Sequence, residues 1–470
     1  MNIGGGSWLE SIPLITRDRS FYQSLIHLAV PVALQNLITF AVGFADNLMV
    51  GTLGDAAISG VYIASQIQTL VQLFSGGIEG AILILSAQYW GRGDLRAIRR
   101  IAAIGVHFSI LFGLLLTAIC SVIPGTVISL FTADAEVVSD GVAYLRIVCL
   151  SYVFFCMTQA LIAAMRSVEA ARIGMAVSGI SLLVNVFLNY GMIFGKFGFP
   201  QMGIHGAALA TLIARITETA VMLLYVFRMA HRLSLVPGDL LKTDRTLRRD
   251  FLRYGLPIVG GQVIWSVNMM GNSVILGHYG QQVIAAASIA NTLHTLAYVA
   301  MNGMSSAVGI VTGKTVGAGK IRLMKEYART TQILFLALGL LTGLVMAVLR
   351  GWFIGLYQGV TEQTAAYAWQ FCTVLCVTFV GTCYQAACLF GLVKSGGDIG
   401  FVFKNDTIFV LFVVLPSAIL ASHFGAPPWV VFACLKCDQI FKCIVAFFKI
   451  NSFNWMKNLT REASGEQETK

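Results

Sequence analysis

Long stretches almost free of charge recur along this chain, and they constrain its fold more than any motif does. Twelve are visible, at about 22–50, 55–84, 99–123, 142–165, 171–195, 204–228, 251–277, 282–310, 328–349, 365–392, 401–422 and 427–449. At 1.5 Å per residue, roughly 20 apolar residues in a helix cross a hydrocarbon core of about 30 Å. Lipid offers the backbone no hydrogen bonds, so continuous segments of this length must be helices, and the alternating segments of about ten residues that build a barrel are absent. Only 11% of the 470 residues are charged, against roughly 25% in soluble domains. The expectation is an all-α integral membrane protein with twelve transmembrane helices and the lipid bilayer as its surroundings.

The net charge of +10 does not mark a nucleic-acid surface, because its sources lie in alternate short loops. Residues 91–100 hold four Arg, 228–253 seven Lys and Arg, and 314–329 five, whereas the intervening loops carry only Lys196 and Arg350. That asymmetry is the positive-inside pattern; it puts both termini in the cytoplasm and the acidic 124–141 loop outside. No signal peptide is expected at the start, since the first apolar stretch is too long for one and reads as helix one. The ten cysteines fall mostly inside apolar stretches and act as small hydrophobes, and "CLKC" at Cys434–Cys437 lacks the partners of a metal site.

A shift of 226 residues aligns Pro31 with Pro257, Gly51 with Gly277, Gly54 with Gly280, Gly77 with Gly303, Gly91 with Gly317 and Gly93 with Gly319 without a gap. "MRSVEAA" (Met165–Ala171) matches "VKSGGDI" (Val393–Ile399) more loosely. The chain therefore divides into a cytoplasmic segment 1–21, a first lobe 22–228, a cytoplasmic linker 229–250, a second lobe 251–450 and a cytoplasmic tail 451–470, with six helices in each lobe. An even number of helices gives both halves the same direction across the membrane, the parallel-repeat design of secondary transporters. The repeat also explains away "GIVTGKT" (Gly309–Thr315). A phosphate loop needs a glycine where Val308 stands, and the first-half stretch "LILSAQY" that the same shift sets against it has no such character.

The segments "PVALQNLITFAVGFADNLMVGTLGD", "AQYWGRGD", "LVNVFLNYGMIFGKFGFPQMGIHGAALAT", "KSGGD" and "LKCDQIFKCIVAFFKINSFNWMKNLT" together resemble the multidrug and toxic compound extrusion (MATE) transporters, from about Phe21 to Thr460. The resemblance implies a V-shaped pair of six-helix lobes that exports small organic compounds, often cationic and lipophilic, in exchange for Na⁺ or H⁺. No cofactor is implied beyond that coupling ion. It also implies that Asp46, on helix one, is the cation-coupling acid of the first lobe, joined by Asn185, Asn189 and Thr211. Members of the NorM type carry further acids on helices seven and ten; here those helices offer Gln262, Asn268, Asn272, Tyr384 and Gln385.

Physical reasoning supports Asp46 independently. A carboxylate at bilayer depth is costly and is retained where it binds something, so it holds a proton or a cation such as Na⁺. The alternative is a solvated cap at the outer end of helix one. Glu79 reads as a cavity contact or as an acid bonded to a neighbouring helix. Arg215 and Glu218, three apart, pair with each other, and Asp406 reads as a second-lobe functional acid or, being close to Lys404, as a residue of the cytoplasmic interface. Trp265, Met269, Tyr298, Met301 and Tyr384 are aromatic and methionine side chains suited to flat lipophilic cations, and with Gln262, Asn268 and Asn272 they complete the candidate substrate contacts. Gly76, Gly77 and Gly80 are expected to permit close helix packing.

Alternatives are a lipid-linked saccharide flippase, which would bring more intramembrane arginines than Arg146 and Arg215, and a membrane enzyme, which the scattered His27, His107, His205, His231, His278, His294 and His423 do not support. The chain reads as a monomeric antiporter of the cytoplasmic membrane with no catalytic residues and no nucleic-acid partner.

Overall fold

The structure, a computed structural model, describes residues 13–461 apart from 54, 133, 231, 241, 243, 358 and 359. The first twelve residues, the tail from 462, the repeat glycine Gly54 and His231 lie outside the described residues. Helices α1 (Arg19–Val50), α2 (Asp55–Arg92), α3 (Leu95–Val122), α4 (Pro124–Ser129), α5 (Ala135–Val148), α6 (Ser151–Ser167), α7 (Arg172–Phe194) and α8 (Gly203–Arg228) make up the first half. The second half holds α9 (Arg245–Gly277), α10 (Gln281–Gly317), α11 (Ile321–Gly355), α12 (Glu362–Gln385), α13 (Ile399–Phe409), α14 (Leu415–His423), α15 (Pro428–Leu435) and α16 (Asp438–Asn451). Two π-helical stretches, Ala386–Lys394 and Val410–Val414, continue α12 and α13. Among the described residues there is no strand.

Nine of these helices are long and apolar enough to cross a membrane, and ten if α5 and α6, bent by 50° against each other, form one span. The other two expected spans, 251–277 and 427–449, correspond to α9 and to the broken pair α15 and α16. Polar content explains the first, and the break explains the second, since it leaves helices of only 8 and 14 residues. α9 carries Gln262, Asn268 and Asn272, and Lys436, Asp438 and Lys442 fall in or between α15 and α16.

The repeat is physical. α9, α10 and α11 begin at Arg245, Gln281 and Ile321, each 226 residues after the starts of α1, α2 and α3 at Arg19, Asp55 and Leu95. Gly93 and Gly319 take left-handed φ values of 81° and 72° just after α2 and α10, where a side chain would be strained. The looser match keeps this feature, with Glu169 at φ 62° and Gly397 at φ 106°. Pro31 and Pro257 lie inside continuous helices, and Gly309–Thr315 is an ordinary part of α10 rather than a loop.

One compact unit is Leu28–Val263, and the other joins Ile264–Lys470 to Met1–His27, as far as those residues are described. In the first, a core around Val71, Ile128, Leu145, Tyr152 and Cys156 holds α2, α5 and α6 together. Gly77 lets α9 approach α2, since a Cβ there would lie 2.5 Å from Val259 Cγ2, and one at Gly76 would meet Gln262 Nε2 at 2.9 Å. The second unit packs α10, α12 and α15 around Phe371, Phe379 and Phe432. The segment before α1 docks on α11, where the Thr16 N–H donates to Thr330 Oγ1 (2.8 Å) and Tyr327 donates to Asp18 (2.5 Å).

The end of that unit is clasped. Trp455 is fully buried and donates its Nε1–H to the Ile450 carbonyl at 3.0 Å. A side chain at Gly396 would collide with its ring, and one at Gly397 with the Lys457 carbonyl. The Lys457 N–H donates to the Gly396 carbonyl (2.7 Å), and Asp398 binds both Lys449 (2.7 Å) and Lys457 (2.8 Å). The "KSGGD" and "NWMKNLT" motifs are thus two halves of one contact.

Candidate functional site

Three helices of the first unit bring the proposed coupling residues together. α7 ends at Gly195, whose left-handed φ of 67° turns the chain back. Gly206 then lets α8 press against the Met192 carbonyl, which a Cβ would meet at 2.7 Å. That close antiparallel pairing sets Thr211 opposite Asn185. Asn185 and Asn189, four apart, share one face of α7, and both are 1% exposed.

A chain of hydrogen bonds joins them to Asp46 of α1. Asn189 Nδ2 donates to Asp46 Oδ1 at 2.5 Å and to Asn185 Oδ1 at 3.2 Å, and Asn185 Nδ2 donates to Thr211 Oγ1 at 3.5 Å. Thr211 in turn donates to the Ala207 carbonyl at 3.1 Å. Asp46 is half-buried. The sequence did not single out Tyr144, which α5 brings beside Thr211, and only its place in an amphipathic turn could have flagged it. One acceptor is left over: Asn189 Oδ1 is buried with no partner. Amide, hydroxyl and carboxylate oxygens are the donors that hard cations take. With the amide turned over, Oδ1 would face the carboxylate, an arrangement that needs a proton or a cation between the two oxygens.

Arg215 and Glu218 form the expected pair, at 2.7 Å and with Glu218 1% exposed; Ser181 adds a bond to Glu218 at 3.4 Å. The guanidinium lies 4.9 Å from the Phe155 ring centroid and near enough to Asp46 to act on it electrostatically. Glu79 accepts a bond from Ser75 (3.2 Å) and faces Arg166 of α6. Arg166, outside the expected spans, donates to Gln35 of α1 at 2.6 Å. Arg146 is exposed.

The candidate substrate contacts separate into two groups. Trp265, Met269 and Tyr298 are exposed, at 47%, 38% and 37%. Met301 lies in the second unit's core, and Tyr384 is buried with its hydroxyl donating to Gln332 Oε1 at 2.8 Å. Asn268 and Asn272 each carry a buried amide oxygen without a partner. Gln262 is half-buried near Gly76. Asp406 binds Lys442 of α16 at 2.9 Å.

A multi-pass helical protein built from a tandem repeat, with a polar set buried inside one half, has the architecture of many secondary transporters. The MatE family profile matches residues 31–191 and 257–423, starting on the two repeated prolines, and the chain belongs to that family, the MATE transporters; it is not an enzyme. A probable multidrug resistance protein NorM of Thermotoga maritima is 27% identical over 72% of this chain and 71% of its own length. Another, from Rhizobium meliloti, is 27% identical over 76% of this chain and 77% of its own. The same fold occurs in the MATE transporter VcmN of Vibrio cholerae in its bent form, with 16% identity, a TM-score of 0.83 and coverage of 92% of this chain and 97% of that one.

Proposed function

We propose that this transporter is a secondary antiporter of the cytoplasmic membrane that exports small organic, often cationic, compounds in exchange for Na⁺ or H⁺ by alternating access. The observation that carries this reading is the buried relay from Asp46 through Asn189 and Asn185 to Thr211, with its unpartnered Asn189 oxygen. Asp46 takes the ion entering from outside; the Asn189 amide turns to offer oxygen in place of N–H; α1 responds to the altered charge. The relatives named as multidrug resistance proteins support the substrate class. The exposed aromatic and methionine side chains Trp265, Met269 and Tyr298 suit lipophilic cations. The loop charges support cytoplasmic termini, and the reading requires only a single chain, a monomer.

The test is efflux of a fluorescent organic cation from proteoliposomes under an imposed Na⁺ gradient and then a pH gradient, with wild type and Asp46→Asn side by side. Gradient-driven movement that the variant loses supports coupling at Asp46 and identifies the ion. Equal movement in both proteins refutes it.

A further inference from the structure

The second unit holds a set of charges that the Asp46 site does not use. Lys442 of α16 is shared by Asp406 of α13 (2.9 Å) and Asp438 of its own helix (3.0 Å), and the three side chains are 7%, 15% and 4% exposed. Gln439 donates to both Asp438 oxygens and accepts from Thr382 and Gln385, so Asp438 is held from α12 as well. Two more ammonium groups act on these carboxylates without reaching ion-pair distance: Lys394 on Asp406 and Lys436 on Asp438.

Three features single out Lys436. It is 9% exposed, and among the described residues its ammonium makes neither hydrogen bond nor ion pair, only a cation–π contact with Phe432 at 5.8 Å. It stands at the break between α15 and α16, and irregular backbone at membrane depth is tolerated where it serves a buried site. The π-helical stretches Ala386–Lys394 and Val410–Val414 flank α13 close by, and such stretches recur at functional sites.

With all groups ionised the set has two carboxylates and three ammonium ions, a surplus of one positive charge. Lys442 is saturated by its two partners, and Lys394, at the end of its π-helical stretch, is half-buried where Lys436 is buried. The surplus therefore falls on Lys436. His294 of α10 lies near enough to act on it, and two basic groups in one apolar setting oppose each other's protons.

We propose that the second half carries its own proton site at the α15–α16 break, with Lys436 as the group that releases and regains the proton. Release passes one proton from the ammonium to water and leaves a neutral amine, which brings the set to zero net charge; uptake reverses this. The other ionisable groups around it are His294 and Tyr298 on α10, Asp406 on α13, Lys394, and Cys437, Asp438 and Lys442 beside it. α12 adds the core thiols Cys376 and Cys383, and α14 has only His423, at its far end.

This inference rests on the antiport reading and deepens it. In the same proteoliposomes, Lys436→Gln and Lys436→Arg fix the site in its uncharged and charged forms. Both are expected to keep exchange of labelled substrate at zero gradient and to lose pH-driven accumulation at least tenfold. A lysine needed only for its charge would be rescued by arginine, so full pH-driven transport by Lys436→Arg overturns the proposal. Wild-type transport driven by Na⁺ alone overturns it too while leaving antiport intact, and a wild type that no gradient drives refutes the antiport reading itself. Proton release on adding the organic cation, followed in weak buffer with Asp46→Asn as background, is expected to persist and to have a midpoint that Asp438→Asn moves by about one pH unit. Release that vanishes with Asp46→Asn, or a midpoint that Asp438→Asn leaves in place, overturns the second site even if neither Lys436 variant folds.

Discussion

Replacing Trp455 by alanine tests the clasp that ends the second unit. The side chain is 0% exposed, and truncating a buried aromatic of this size costs about 3–5 kcal/mol. The loss falls on local opening of residues 453–461 rather than on the whole bundle, because the clasp joins only the "KSGGD" turn and the chain after α16. Amide hydrogen exchange reads that opening. The Lys457 N–H, bonded to the Gly396 carbonyl, should exchange roughly 100-fold to several thousand-fold faster at tenfold per about 1.4 kcal/mol, up to the limit set by the clasp's own stability. Gly396→Ala should open the same segment, since its Cβ collides with the Trp455 ring. The two changes must then be strongly non-additive: once the ring is gone the closest collision is relieved and only the Leu392 carbonyl, at 2.9 Å, still crowds the new Cβ, so the double variant should exchange far less fast than the sum of the two effects. Additive effects, or unchanged exchange in Trp455→Ala, would refute the clasp.

Further outcomes follow from the same geometry. Burial by itself would push the Asp398 carboxyl up, but the hydrogen bonds and charges of Lys449 and Lys457 outweigh it and hold it below the usual carboxylate range. Its contribution to the clasp is therefore full above the unfolded value of about 3.9 and is lost as pH falls through the lower folded value. Protection at residues 453–461, measured against the intrinsic exchange rate at each pH, should fall below about pH 4, and Asp398→Asn should flatten that dependence. Gly77→Val should lower the melting temperature in detergent by the equivalent of about 1–3 kcal/mol, because the new side chain meets Val259; an unchanged melt would mean that α2 and α9 do not need this approach. Arg215→Leu leaves the Glu218 carboxylate, 1% exposed, without its cation and should cost about 3–5 kcal/mol. The double change with Glu218→Gln should recover much of that loss in the same melting assay.

Part of the site was legible because helical spacing displays it. Asn185 and Asn189 sit four apart, and Asp46 interrupts a stretch otherwise free of charge, so each stood out before any contact was known. The pairings that act at distance were not legible. Asp406 meets Lys442 on another helix, 36 positions away. Arg166 reaches Gln35 across 131 positions, and Tyr144 reaches Thr211 from another helix, 67 positions away.

The apolar stretches and the glycine register by themselves determined an all-helical membrane protein with a 226-residue repeat, since lipid forbids an unpaired backbone and only glycine accepts the turns at positions 93 and 319 without strain. Only the tertiary structure decided which charges meet. A helix sets which side chains share its own face. Which face of which helix stands opposite depends on close approaches such as those at Gly77 and Gly206, and these join residues too far apart in the chain for any local pattern to record.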